Sequence, residues 1–205
     1  MVTPDLSALQ DEELLRRYQN GELEAFGVLL QRYRRPVYNF LLRSVRSPDR
    51  AEDLLQEVFM RVVQRAGDFE GRSKFSTWMY TIARNLCIDT SRKMIFRRHQ
   101  SLDTRPKGTD GEGGPLVERV AAKQPGADRE VISEEIREHI AHAVEGLPAE
   151  QREVFLMRQL QGLSFKDIAE IVNVPENTVK SRMRYALERL QGALAEYRDY
   201  AHQLK

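Results

Sequence analysis

Apolar side chains in this chain recur at threes and fours, and no stretch alternates with period two for long enough to make a convincing strand. Phe26, Leu29, Leu30, Tyr33, Val37, Phe40 and Leu41 form a first stripe, which predicts an amphipathic helix with one face in a core. Pro36 lies inside that stripe and predicts a kink or a break, because it removes a backbone donor and crowds the preceding turn. Ala51, Leu54, Leu55, Val58, Phe59 and Val62 make a second stripe, and Trp78, Ile82, Leu86 and Thr90 a third. After Arg98 the texture changes. Pro106, Gly108, Gly111, Gly113, Gly114, Pro115 and Pro125 are separated by small and polar residues, a poor core and a good tether. A short helix around Leu116–Lys123 is compatible with it. Order resumes near Glu130, where Ile132, Ile136, Ile140 and Val144 describe one helix that ends at Gly146. Pro148 suits the first turn of the next, which carries Val154, Phe155 and Leu160 up to Gly162. The expected fold is all-α: two small helical domains, residues 1–98 and 130–205, joined by a flexible linker, 99–129.

The second domain has a more specific pattern. Ser164 is a good N-cap, and Asp167 three residues later can complete a variant of the capping box. The helix so started buries Phe165, Ile168, Ala169 and Val172. Asn173-Val174-Pro175 makes a turn, and a further helix from about Glu176 puts Val179, Met183, Ala186, Leu187 and Leu190 on its inner face. Asn177, Thr178, Lys180, Ser181, Arg182 and Arg184 are left facing outward near its start. A helix-turn-helix presents its second helix this way, and these side chains supply the donors that base edges and phosphates accept. A solvated charged face is the plainer explanation of Lys180–Arg184 alone. The capped start, turn and apolar register together favour DNA.

Lys and Arg number 32 against 31 Asp and Glu, so the whole-chain balance of +1 does not mark a nucleic-acid binder. The charge is instead local. From Arg84 to Lys107, Arg84, Arg92, Lys93, Arg97, Arg98, Arg105 and Lys107 face only Asp89 and Asp103, a net of +5. Just before this stretch, Phe69, Phe75, Trp78 and Tyr80 are interleaved with Arg72, Lys74 and Arg84. Aromatic planes beside cations suit unpaired bases, which stack while their phosphates are held by charge. Trp78 is at least as well explained as a core residue. Arg72, Lys74 and the short Glu70-Gly71 turn are harder to explain by packing.

The order of these motifs resembles the extracytoplasmic-function (ECF) sigma factors of bacterial RNA polymerase. Leu23–Val45 is similar to the family's region 2.1, and DRAEDLLQEVFMRVV (Asp49–Val63) to region 2.2, which docks on the β′ clamp helices. KFSTWMYTIARNLCID (Lys74–Asp89) resembles regions 2.3 and 2.4, which melt and read the −10 element. Leu147–Leu190 resembles region 4, the reader of the −35 element. The resemblance implies a promoter-specificity subunit with no enzymatic activity and no cofactor. It makes Asp53, Gln56 and Glu57 contacts to core polymerase, beside buried Leu54, Val58 and Phe59. It assigns Phe69, Arg72, Ser73, Lys74, Trp78, Tyr80, Arg84, Asn85 and Arg92 to the −10 element, the loop Phe69–Ser73 lining a pocket for an extruded base. It assigns Asn177, Thr178, Lys180, Ser181, Arg182 and Arg184 to the −35 element. The linker is too short for the extra domain (region 3) of housekeeping sigma factors. Pro175 departs from the family, which often has a serine cap there, and the Gly-rich, acidic middle of the linker matches no family pattern. Implied partners are core RNA polymerase (β′ clamp helices and β flap), promoter DNA and an anti-sigma factor.

The remaining features argue for little else. His139 and His142 lie three apart without a third ligand nearby, so a solvated face is expected rather than a metal site. Cys87, the single cysteine, is expected to be a small core residue. No Gly-rich phosphate loop is present, and no acid pair with a supporting motif. The acidic N-terminus lacks a signal-peptide pattern and no apolar run is long enough to span a bilayer, which predicts a cytoplasmic protein. The rival reading is a stand-alone dimeric helix-turn-helix regulator, which would bind a palindrome without polymerase. A helical adaptor that binds only proteins is a third.

Overall fold

A computed structural model describes residues 5–102 and 127–195, with residues 95–102 and 127–135 described as backbone alone. Its elements are helical: α1 (Asp11–Gln19), α2 (Leu23–Val45), α3 (Pro48–Gln64), α4 (Phe75–Leu102), α5 (Ala127–Glu145), α6 (Ala149–Gln161), α7 (Phe165–Val172) and α8 (Glu176–Ala193). Short 3-10 turns stand at Leu6–Ala8 and Ala66–Asp68, and no strand occurs among the described residues. The all-α expectation holds. None of the described helices is long and apolar enough to cross a membrane.

The N-terminal lobe is α1–α4. Asp11, Glu12 and Glu13 lie in the first turn of α1 and Arg16 and Arg17 in its last, the order the helix dipole favours. Leu14 and Leu15 of this helix are fully buried. In α2, Ala25, Leu29, Val37, Phe40, Leu41 and Val45 face the core. Of the two outcomes expected at Pro36, a kink or a break, the break does not occur: the helix continues through it. Burial of apolar side chains before and after the proline outweighs its penalty, about 3 kcal/mol in a helix interior. Ser47 caps α3, accepting from the Arg50 amide at 3.5 Å, and Pro48 occupies the first turn. α4 then runs on to Leu102, past Arg98.

In the C-terminal lobe, Pro148 stands at the N-cap of α6, and Gly162 closes that helix in the left-handed region at φ +63°. The capping box at Ser164 is present in full: the Asp167 amide donates to Ser164 Oγ at 3.1 Å, and the Ser164 amide donates to Asp167 Oδ2 at 3.2 Å. Asn173 makes the turn at φ +53°, and α8 follows Pro175 without a side-chain cap. Four leucines and isoleucines counted into core stripes are substantially exposed: Leu30, Ile140, Leu160 and Leu187. The linker helix expected at Leu116–Lys123, the Ile132 side chain, and Tyr197, Ala201 and Leu204 of the tail lie outside the described residues.

The two lobes touch. α4 packs against α7 and α2 against α6, so the apolar cores adjoin and the face of α4 is turned toward the C-terminal lobe.

Candidate nucleic-acid interface

α7, the Asn173 turn and α8 form the helix-turn-helix, held by Ile168, Ile171, Val172, Val179, Met183, Ala186 and Leu190. Asn177, Lys180, Ser181 and Arg184 are exposed, and Thr178 and Arg182 half-buried. Lys180 pairs with Glu176 at 2.7 Å, and Arg184 with Glu188 at 3.7 Å while its guanidinium lies over the Tyr185 ring. Arg182 pairs with Glu150 of α6 at 2.5 Å. Every cation in this set is therefore held by a neighbouring carboxylate on the surface, and such exposed pairs are worth at most about 1 kcal/mol, so phosphates can displace them.

In the N-terminal lobe the loop between α3 and α4 carries Gly71 at φ +72°, a conformation that favours glycine. Arg72 projects into solvent and pairs with Glu70 at 2.5 Å. Behind it, Phe69, Phe75 and Trp78 form an aromatic cluster, with Phe69 and Trp78 ring centres 5.2 Å apart. Phe75 is fully buried, Trp78 and Ser73 half-buried, and Asn85 and Arg92 exposed. Tyr80 departs from the expectation of a base-stacking residue. It is 1% exposed, packs edge-on against Phe40, and its hydroxyl donates to Gln161 of α6. Burial drives its phenol pKa far upward. In this arrangement its ring is closed to a base.

Two cations of the same stretch are also engaged across the lobes. Lys74 Nζ lies 2.9 Å from Asp167 Oδ2, and Arg84 Nε 2.5 Å from Glu153 Oε1. Burial pushes the Asp167 carboxyl upward, but hydrogen bonds from Ser164 and Lys74 outweigh it and hold the group below its ordinary value. A polar cleft between the lobes is lined by Arg32, Arg72, Lys74, Lys166, Asp167 and Glu170, among others.

On α3, Asp53, Gln56 and Glu57 share one exposed face over buried Leu54, Val58 and Phe59. Glu57 accepts from Arg61 at 2.7 Å. Met60 and Val63 extend the face with exposed apolar surface that the sequence reading passed over. Periodicity puts both off the core stripe, which was the available signal.

α1 was missed as well. Its Glu12 carboxylate accepts from the Phe75 amide at 2.8 Å, capping α4 from another helix, and Gln19 Nε2 donates to the Ala66 carbonyl at 2.6 Å and that of Phe69 at 3.3 Å. Cys87 is buried, its thiol pushed up to about 12 by desolvation, which makes it unreactive. His139 and His142 are both exposed, and no metal-binding group of three or more His, Cys, Asp or Glu occurs among the described residues.

Comparison with known proteins agrees with this division. Residues 29–94 match the Sigma-70 region 2 family and residues 137–190 the Sigma-70, region 4 family. The RNA polymerase sigma-H factor of Pseudomonas aeruginosa is 30% identical over 193 residues, covering 92% of this chain and 96% of that protein. The ECF RNA polymerase sigma-E factor of Escherichia coli is 32% identical over 187 residues, 88% of this chain and 92% of that one. The chain belongs to the ECF sigma factors. It is a promoter-specificity subunit of RNA polymerase and a non-enzymatic initiation factor. Among solved structures, the sigma factor RpoE of Bartonella quintana, in complex with the anti-sigma factor NepR, shares the fold at a TM-score of 0.63 and 24% identity over 83% of this chain and 96% of that one. CnrH, in complex with the cytosolic domain of CnrY, does so at 0.62 and 18% over 91% and 97%. A stand-alone repressor is not favoured, since the matched region 2 makes up most of the N-terminal lobe of this sigma factor.

Proposed function

We propose that this sigma factor divides its work along the two lobes. Asp53, Gln56 and Glu57 on α3 dock on the β′ clamp helices of core polymerase, and the C-terminal lobe meets the β flap. The loop Phe69–Ser73, Lys74, Trp78 and the cations of α4 (Arg84, Arg92), with Asn85, take the −10 element. Asn177, Thr178, Lys180, Ser181, Arg182 and Arg184 take the −35 element, the outward start of α8 entering the major groove. Tyr80 joins the −10 set only when the lobes part. The observation that carries the reading is the exposed polar face at the start of α8, set on a helix-turn-helix whose first helix has a complete capping box. Each lobe alone binds DNA weakly, and attachment to one polymerase makes the second contact effectively intramolecular. The protein acts in the cytoplasm, and family membership supports control by an anti-sigma factor that covers its polymerase-binding faces.

The test is transcription by core polymerase supplemented with the purified chain on fragmented genomic DNA, with the 5′ ends of transcripts mapped. Discrete starts sharing two upstream elements at near-constant spacing are expected. Binding to a palindrome by the chain alone, with no transcripts, would overturn the reading.

A further inference from the structure

We infer that α1 is a positioning strut for the loop between α3 and α4, with Glu12 and Gln19 as its positioning residues. The inference rests on the reading that this loop lines the pocket for the extruded −10 base.

Gln19, the last residue of α1, donates its side-chain amide to the Ala66 carbonyl at 2.6 Å and the Phe69 carbonyl at 3.3 Å, where the loop begins. Glu12, in the first turn of α1, accepts from the Phe75 amide at 2.8 Å, where the loop ends and α4 starts. The two tethers lie seven positions apart on α1, a rise of about 10 Å. The strut is itself fixed. Leu14 and Leu15 between the tethers are fully buried, and Asp11 accepts from Arg32 at 2.6 Å and from the Tyr33 hydroxyl. The ends of the loop are thus referenced to α2 through α1, while Glu70, Gly71 and Arg72 between them stay exposed to a ligand. The Glu12 carboxylate also fills a specific vacancy. The first amides of a helix have no intrahelical acceptor, and a negative group there is favoured by the helix dipole. No Ser, Thr, Asp or Asn next to Phe75 does this for α4 through a side-chain bond to that amide, so the cap comes from a separate helix. Moving Glu12 therefore moves the start of α4 and the exit of the loop together. Neither Glu12 nor Gln19 needs to touch DNA.

The experiment uses the full chain with core polymerase on a promoter identified by start-site mapping, and separates three readouts: affinity for core polymerase, formation of the initial promoter complex, and the rate of strand opening together with affinity for the single-stranded −10 segment. E12A should lower opening and single-strand affinity about tenfold, the order expected for losing one charge-assisted hydrogen bond. Core affinity should be unchanged, because the face of Asp53, Gln56 and Glu57 lies on α3. E12Q should recover most of the loss, since its side-chain oxygen still accepts from the Phe75 amide. Q19A, which removes the other tether and leaves the cap intact, should reproduce the opening defect and so covers the case in which E12A fails to fold. Wild-type opening rates in E12A and Q19A would overturn the inference, as would losses spread equally over all three readouts in step with a fall in Tm. F69A and R72A distinguish the underlying reading. If they impair single-strand binding while E12A and Q19A do not, only the strut is wrong. If they too have no effect, the base pocket itself is misplaced.

Discussion

Asp167 does three things with one carboxylate: it completes the capping box of α7, accepts from the Ser164 hydroxyl at 2.6 Å, and pairs with Lys74 of the other lobe. Its pKa lies below the ordinary 3.8 of an aspartate. A group depressed in the folded state adds stability above its unfolded pKa and loses it as pH falls through the folded one. The contribution of Asp167 is therefore complete at neutral pH and fades only below about pH 4. The D167N variant should show a shallower loss of Tm between pH 5 and 2 than the parent, by calorimetry. Gly162 supports a second expectation at this scale. A Cβ there meets nothing within 4 Å, so the only penalty of G162A is the left-handed backbone at φ +63°. About 1 kcal/mol of destabilisation is expected, read from urea midpoints at constant slope. The capping box was legible in the sequence because it spans four consecutive residues. The partner of Lys74 was not, since its 93-residue separation from Asp167 has no local signature.

Most helices were legible from periodicity alone, because a stripe of apolar residues at threes and fours has few other folds available to it. The failures have physical causes. Pro36 predicts a kink or a break because its local penalty is visible in sequence, whereas the burial that carries the helix through it depends on tertiary packing. Leu30, Ile140, Leu160 and Leu187 are apolar and at helical spacing, and neither property says whether a neighbouring element covers them. α1 was passed over because its apolar content is brief, with only Leu14 and Leu15 buried in nine residues. That brevity conceals its weight. Both leucines are at 0% exposure, and truncating either removes side-chain volume the lobe cannot readily refill. L14A should lower stability by about 2–5 kcal/mol in denaturant unfolding. L187A, of the same chemistry but on the outer side of α8, should change it by less than about 1 kcal/mol.

The placement of one lobe on the other decides which recognition residues are free. Lys74, Tyr80 and Arg84, all assigned to the −10 element, have their polar ends on Asp167, Gln161 and Glu153 of the C-terminal lobe. Gln161 also donates to the Pro36 carbonyl at 3.1 Å, and Arg46 donates to the Glu145 carbonyl at 2.6 Å. On the proposed assignment a phosphate would need the donor that the Glu153 carboxylate holds, so DNA and the C-terminal lobe would compete for Arg84. Motif reading assigns residues to each lobe separately, which is why this competition could not be foreseen from the sequence. The Lys74 side chain is 63% exposed, and a pair of that kind contributes at most about 1 kcal/mol. The Arg84–Glu153 pair is less exposed, with both side chains at 20%, and is the contact to weaken. E153K replaces attraction with like-charge repulsion at Arg84 without touching the capping box or any residue assigned to DNA. With donor and acceptor dyes on E52C of α3 and R189C of α8, both exposed in the parent, the parent should give a single high-transfer population and E153K a broadened population at lower transfer. In the parent the Cys87 thiol is buried and pushed up to about 12, mainly by desolvation, so the dyes go to the two introduced cysteines. If occupancy by the C-terminal lobe limits access to α4, single-stranded −10 DNA should bind E153K tighter by the reciprocal of the parent's open fraction, on the order of tenfold were that fraction one in ten. Identical transfer in parent and variant would mean that the Arg84–Glu153 pair does not hold the lobes together.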